Sequence, residues 1–525
     1  MARIAVPAEP APSTAQDPGG DGESDGGLRR ELNLFGAVSM IVGIVIGSGI
    51  FLGVGRVAAG AGSPSLIVAV WILGGLLTLM GALTYAELGV LFPKAGGEYV
   101  FLKEGMGSLA AFMSGWTAFT INLAGSAAAL AVIFAEQLNQ LKPDGWAPLF
   151  GSEAATVKLT AVCLIALLSI VNYFGVKFGG FVQMTFTVLK GALIVLLAGA
   201  ALLFVGDAAS PGAGFFDSPQ YVDQDGQAQQ GFDPSGFFGL AMVAALFAYD
   251  GWTNVVRVGG ELRNPGRNIP KAMLLGLVSI MAFYILVSFG YLNVLGFQGF
   301  AAGSQAGFDS DRTVASNVAN VLFGDGGESL VTVMILVSVF GALNGITLSG
   351  PRIYYAMSVD RLFPRLFGQL SPRRTPHYAI LFQALLASVF LLFFDFSELT
   401  DNVVFISFFF YGLTAAGLLV LRRTHPEMPR PYKVWGYPVV PILFVITSWT
   451  FVGYLLYDQI SALATDYTGI GDLNRLAGLA VVAAGLPIFF FYRRKLVRQC
   501  LEAGLPPPAP LFGPRPKDED GSERK

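Results

Sequence analysis

Runs of about twenty apolar residues recur twelve times along this 525-residue chain, near 35–56, 66–91, 108–138, 156–174, 178–205, 236–258, 272–297, 329–357, 378–396, 400–421, 438–458 and 474–492. A helix of that length and character crosses the hydrocarbon core of a bilayer. Charged residues make up only 13% of the chain and hydrophobic ones 54%, whereas a soluble domain carries about a quarter charged residues. The expected fold class is therefore an all-α integral membrane protein with 12 transmembrane helices and the lipid bilayer as its main solvent. No cleavable signal peptide is expected. Residues 1–30, rich in Pro, Gly, Ala and Asp up to residue 28, read as a disordered N-terminal tail, residues 31–495 as the membrane domain, and residues 496–525 as a second tail.

The net charge of −3 decides little; its distribution decides more. Residues 206–235 contain Asp207, Asp217, Asp223, Asp225 and Asp233 and no basic residue, whereas other loops carry Arg263, Arg267 and Lys271, then Arg361, Arg365, Arg373 and Arg374, then Arg422, Arg423, Arg430 and Lys433. Basic loops stay cytoplasmic. An even number of spans places both tails on one side, and both are basic next to the membrane, at Arg29-Arg30 and Arg493-Arg494-Lys495. Both termini are expected in the cytoplasm, in a plasma (inner) membrane. Cys163 and Cys500 fall at membrane depth and in the basic C-terminal segment, so no disulfide framework is expected. Nothing points to a nucleic-acid partner.

Two spans carry glycine and polar residues at their centres. The first reads Ile46-Gly47-Ser48-Gly49-Ile50-Phe51, the sixth Phe247-Ala248-Tyr249-Asp250-Gly251-Trp252. Glycine costs a helix about 1 kcal/mol relative to alanine, and broken helices persist at membrane depth only where the freed backbone lines a cavity or is buried in protein. Interruptions at corresponding positions of two halves mark a substrate site near the midplane. Bare N–H groups at Gly47, Ser48 and Gly49 would attract a carboxylate, and the carbonyls of Phe247, Ala248 and Asp250 an ammonium group. Donors facing acceptors in this way suit an α-amino acid zwitterion. Gly43 and Gly47 also satisfy a small-residue helix-packing spacing, which explains the first span alone but not both. The Asp250 side chain is expected to point away from the substrate.

The segments "GIVIGSGIF" and "LTYAELGVLFPKAGGEYVFLKEGMGSLAAFMSGW", with "FAYDGW", "ELRNPGRNIPKAM" and "FFYGLTAAGLLVLRRTHPEMPRPYKVWGYPVVP", resemble the amino acid–polyamine–organocation superfamily, and within it the L-type amino acid transporter branch. The resemblance runs from about Leu32 to Arg494. It implies a 5+5 inverted-repeat (LeuT-like) core with broken helices 1 and 6, plus two C-terminal helices. It also implies substrate contacts at Ile46, Gly47, Ser48, Gly49, Phe247, Ala248 and Asp250, with Phe247 as an aromatic gate and transport by alternating access. The function expected is secondary active transport of neutral L-amino acids, by exchange or with proton influence; the alternative is a polyamine or other amine permease. Members joined by a disulfide to a heavy chain carry a cysteine in the external loop after the third span, and residues 138–156 here have none, so such a partner is not expected.

Lys190 is the one Lys or Arg placed well inside a span. A cation there is costly and functional by default; the resemblance implies that its ammonium bridges the fifth helix to the unwound first, where relatives hold sodium, and a buried ammonium is also a candidate carrier of a coupling proton. Glu87 is expected to pair with a loop cation or support an inner gate. Arg257 and Glu261 are expected to pair at i,i+4. Asn122 and Asn344 serve as helix–helix glue or as site walls, and Tyr249 and Trp252 as packing. His377 and His425 read as solvated. With no metal-ligand cluster and no nucleophile–base pair in the spans, neither an enzyme nor a cofactor is expected. Gly53-Val54-Gly55 with Ala58 mimics a dinucleotide motif but lacks the strand–helix context such a site needs.

Overall fold

The computed structural model describes residues 28–47, 49–141, 152–204, 219–222, 228–302, 313–324, 326–393, 396–465, 474–504 and 508–514. The expected N-terminal tail up to residue 27, Ser48, most of the loop after the third span, and much of the acidic segment 206–235 lie outside the described residues.

The protein is a multi-pass helical membrane protein, and the helices follow the apolar runs. Among the described residues, eight helices are long and apolar enough to cross a membrane: Pro64–Leu91, Ser108–Gln140, Glu153–Tyr173, Val176–Leu203, Pro265–Phe297, Gly326–Val359, Phe405–Thr424 and Val439–Tyr457. The other four of the twelve spans are the first, divided into Leu34–Val45 and Gly49–Ala61; the sixth, divided around Ala248 and Asn254; the ninth, His377–Phe393; and the twelfth, Asn474–Glu502, which runs past residue 495. Caps explain several starts. Asn33 accepts from the Gly36 N–H at 2.8 Å, and Ser63 accepts from Leu66 N–H just before Pro64 opens the second span. Large apolar side chains such as Phe181, Leu381 and Phe491 are exposed around the periphery, as a surface bathed in acyl chains requires.

The core packs as a repeat predicts. The first span touches the sixth, the second the seventh, the third the eighth and the fourth the ninth. The first four spans thus meet their counterparts five places later, as in two intertwined five-helix halves, and the last two spans follow that core. The chain ends meet the same side. Glu31 and Leu32 N–H groups both donate to the Glu261 carbonyl, at 3.0 Å each, while the Ser108 N–H donates to the Pro510 carbonyl at 2.9 Å. A two-stranded antiparallel ribbon, Gln220–Val222 with Ala228–Gln230, lies in the acidic segment between spans five and six. Periodicity arguments do not reach so short a strand pair.

Two readings of charged and polar groups need correction. Arg257 and Glu261 do not pair with each other, because the helix ends at Arg257, Val258 takes φ −97° and ψ 18°, and residues Gly259–Glu261 wind as a 3-10 turn. Arg257 instead binds Glu98 at 2.9 Å and Glu261 binds Arg352 at 2.7 Å. His425 is not solvated; it is buried, its Nδ1 2.9 Å from Thr424 Oγ1, while Arg430 donates to its carbonyl. His377 is half-buried against Tyr378. Glu87, by contrast, pairs with cations from outside its own span, Arg422 and Arg430, and accepts from the Val434 N–H at 2.6 Å.

Candidate functional site

The two helix interruptions adjoin. A Cβ built on Gly49 would lie 3.2 Å from both Cα and Cβ of Ala248, so the start of the second half of span one presses against the end of the first half of span six. In span six the helix stops at Ala248, Gly251 takes φ +107°, and the helix resumes at Asn254. Gly251 is required there twice over: its φ is left-handed, and a Cβ would meet Ile44 Cγ2 at 2.8 Å. The Asn254 side chain secures the turn by donating to the Gly251 carbonyl at 2.7 Å.

A cavity of about 90 Å³ opens beside these interruptions. Ile44, Val45, Gly47 and Gly49 line it from span one, and Phe247, Ala248, Asp250, Gly251, Asn254 and Arg257 from span six. Asn122, Leu123, Ser126, Ala129 and Leu130 line it from span three, Ile346 from span eight, and Val403 and Tyr411 from span ten. Asn122 closes a π-helical turn, Ala118–Asn122, the kind of local widening that recurs at functional sites. Small side chains and exposed backbone dominate the wall around the breaks, which suits a small polar solute bound largely through main-chain groups.

The structure brings together Gly47, Gly49, Phe247, Ala248 and Asp250 of the expected substrate contacts; Ser48 lies outside the described residues. Two details differ from the expectation. Ile46 does not line the cavity: it is fully buried, and its carbonyl accepts from Lys190 Nζ at 2.7 Å and Ser338 Oγ at 2.9 Å. The Gly47 N–H is not bare, since it donates to the Val45 carbonyl at 2.8 Å; Gly49 opens the next half-helix, whose first-turn N–H groups have no acceptor within the helix. On the facing wall the Phe247 carbonyl accepts from the N–H groups of Asp250, at 3.0 Å, and Tyr249, and the Ala248 carbonyl accepts from Tyr284 OH at 2.6 Å, leaving the Ala248 carbonyl a second lone pair. The Asp250 carboxylate is turned toward span ten, accepting from Tyr411 OH at 2.7 Å, and both residues are among those that line the cavity.

Lys190 stands behind span one rather than in the cavity. Its ammonium donates to the carbonyls of Gly43 at 2.8 Å, Ile46 at 2.7 Å and Ser338 at 2.7 Å, joining span five to the end of the first half-helix and to span eight. Three acceptors match three N–H bonds. Asn344 is buried glue, bonded to Asn172, Gly179 and Gln183, whereas Asn122 both lines the cavity and donates to Ser407 at 2.8 Å. Tyr249 and Trp252 pack, the first against Trp71 and Tyr284, the second against Tyr85 and Tyr411.

Ser126, Asn254 and Tyr411 are wall residues that sequence reasoning missed. Asn254 carried a signal, as a polar residue three positions after Gly251; Ser126 and Tyr411 are each one of several polar residues in their spans, with nothing local to separate them from packing.

The amino acid permease family model matches residues 32–464. The chain is similar to the serine/threonine exchanger SteT of Bacillus subtilis (strain 168), 33% identical over 474 residues covering 90% of this chain and 98% of that protein. It is also similar to the human large neutral amino acids transporter small subunit 2, 32% identical over 490 residues covering 91% and 83% of the two chains. The human b(0,+)-type amino acid transporter 1 is 31% identical over 429 residues, covering 80% and 81%.

Proposed function

The chain belongs to the amino acid permease family, so amino acid transport is its class of activity, and we propose that it exchanges small neutral L-amino acids across a plasma membrane by alternating access. The observation that carries this reading is the contact between Gly49 and Ala248, which sets a half-helix start and a half-helix end side by side on one small cavity. In this reading the substrate carboxylate meets the N–H groups from Gly47 to Gly49, Ser48 included, at the positive end of a helix dipole. The ammonium group meets the carbonyls of Phe247, Ala248 and Asp250, and the Phe247 ring closes over it. Lys190 links occupancy to helix movement by holding the end of the first half-helix. A cavity of about 90 Å³ with Ser126 and Ala129 in its wall favours short side chains, and a serine/threonine exchanger among the relatives points the same way.

In our reading both chain ends lie in the cytoplasm, which the basic character of the loops on their side supports. Two relatives are named as a small subunit or as one type of a transporter; this chain, without a cysteine in the loop after span three, works in our reading without a disulfide-linked partner. The second reading, a permease for cationic amines, is favoured by one observation, an aspartate, Asp250, among the residues that line the cavity. Uptake of radiolabelled serine, threonine, leucine, arginine and putrescine into proteoliposomes loaded with unlabelled amino acid separates the two. Neutral uptake that needs internal substrate supports exchange, and uptake of putrescine alone supports the second reading.

A further inference from the structure

Three buried or half-buried ion pairs on the side of the chain ends form a closed ring. The segment from Asn254 to Glu261, the loop helix Glu98–Gly105 and the helix Pro351–Val359 with its capping residue Asp360 are its three members. Arg257 binds Glu98 at 2.9 Å, Lys103 of the same loop helix binds Asp360 at 2.8 Å, and Arg352 binds Glu261 at 2.7 Å. Each member therefore gives one residue to each of two pairs, and the ring returns to the segment where it began. Backbone and side-chain bonds reinforce it: Gly96 N–H donates to the Arg257 carbonyl at 3.0 Å and Tyr99 OH to Asp360 at 2.8 Å. One member of the ring, Arg257, also lines the cavity, and its guanidinium donates to Asn254 there at 2.7 Å.

We propose that the three pairs act as a single clasp that closes the cavity toward the side of the chain ends, with Arg257 as the positioning residue that connects the clasp to the bound substrate. The proposal rests on the reading of this cavity as the transported substrate's site. Its physical content is cooperativity. In a ring each member is held at two points, so one broken pair turns the ring into an open chain that can splay, and a second break releases little more. Independent pairs would instead add. Arg352 and Glu261 are almost wholly buried, as are Arg257 and Glu98, while Lys103 and Asp360 are partly exposed. The Lys103–Asp360 pair is thus where the ring opens at least cost in desolvation, because a released charge there reaches water.

The test uses the full chain in vesicles, with Cys163 and Cys500 replaced by alanine and Ala129→Cys placed in the cavity wall. A membrane-impermeant maleimide is applied to the face that carries both chain ends. Asp360→Asn, some 100 residues beyond Arg257 in sequence and outside the cavity lining, is expected to raise the labelling rate about tenfold, the change that about 1.4 kcal/mol of lost closure gives. Glu98→Gln should raise it by a similar factor, and the double variant should stay near tenfold rather than approach a hundredfold. The swap Lys103→Asp with Asp360→Lys should return the rate toward that of the parent. Labelling from the opposite face should not rise. An unchanged rate in Asp360→Asn, or multiplied effects in the double variant, overturns the clasp. Labelling needs no transported substrate, so failure of the exchange reading, seen as no uptake of any amino acid by the parent protein, leaves the clasp standing or falling on these rates alone.

Discussion

Lys190 Nζ lies 2.7 Å from the carbonyl oxygen of Ile46, at the residue where the first half-helix ends. A helix end leaves carbonyls without intrahelical donors, and here a lysine from span five supplies one while also serving Gly43 and Ser338. Lys190→Met therefore strips three carbonyls of a charged donor at membrane depth. Hydrogen bonds to charged groups are worth about 1.5–3 kcal/mol, so the variant should lose at least tenfold in exchange rate and several degrees in Tm. An unchanged rate in a stably folded variant would remove Lys190 from the coupling role.

Gly251→Ala should be the most damaging single methyl in the site. It forces a side chain onto φ +107° and drives a Cβ to within 2.8 Å of Ile44. A non-glycine residue in a disfavoured backbone region costs about 1–3 kcal/mol before the clash is counted. Substrate-induced stabilisation, read as the shift in Tm on adding saturating amino acid, should vanish in this variant. If the shift survives, the turn at Gly251 is not part of the binding site.

Asp250→Asn keeps an acceptor for Tyr411 OH and removes the charge, so the fold should be preserved. Neutral amino acid exchange is expected to stay within about threefold of the parent, since the expected contact is the Asp250 carbonyl and the amide still accepts from Tyr411 OH, leaving no buried donor unsatisfied, while any uptake of arginine or putrescine should fall sharply. Competition assays with the two substrate classes read this directly, and a neutral substrate that loses affinity as strongly as a cationic one would place the carboxylate itself on the ammonium group.

Glu87→Ala tests what the fold needs rather than what the site does. The Glu87 carboxylate is fully buried, faces Arg422 and Arg430, and accepts from the Val434 N–H. Removing one partner of a buried pair costs about 3–5 kcal/mol. A marked drop in Tm is expected with substrate selectivity unchanged in whatever protein remains folded.

The parts of this fold that were legible in the chain were those encoded locally. Twelve apolar runs announced the spans, and the glycine clusters at Gly47–Gly49 and Gly251 announced the interruptions, because a helix carries no such cluster at membrane depth without a reason. Lys190 stood out for the same kind of reason, as a charge that the surrounding sequence could not solvate. The partners of Arg257 and Glu261 were not legible. The i,i+4 rule assumes a continuous helix, and this one ends at Arg257; the true partner of Arg257, Glu98, is 159 residues away. Tyr411 entered the wall through the packing of span ten, which no local pattern foretells. The segment 508–514 reads as a proline-rich tail, yet it lies along residues Met106–Leu109, with Gly513 N–H donating to the Met106 carbonyl at 2.9 Å.

The central claim is that the cavity between Gly49 and Ala248 carries an amino acid across the membrane in exchange for another. Its most direct test is counterflow in proteoliposomes: trace radiolabelled serine or threonine outside, unlabelled amino acid inside, with empty vesicles as the comparison. The account predicts rapid accumulation of label only in loaded vesicles, abolished by Gly251→Ala. Equal uptake into loaded and empty vesicles would contradict exchange, and no uptake of any amino acid by folded protein would contradict the assignment of the cavity.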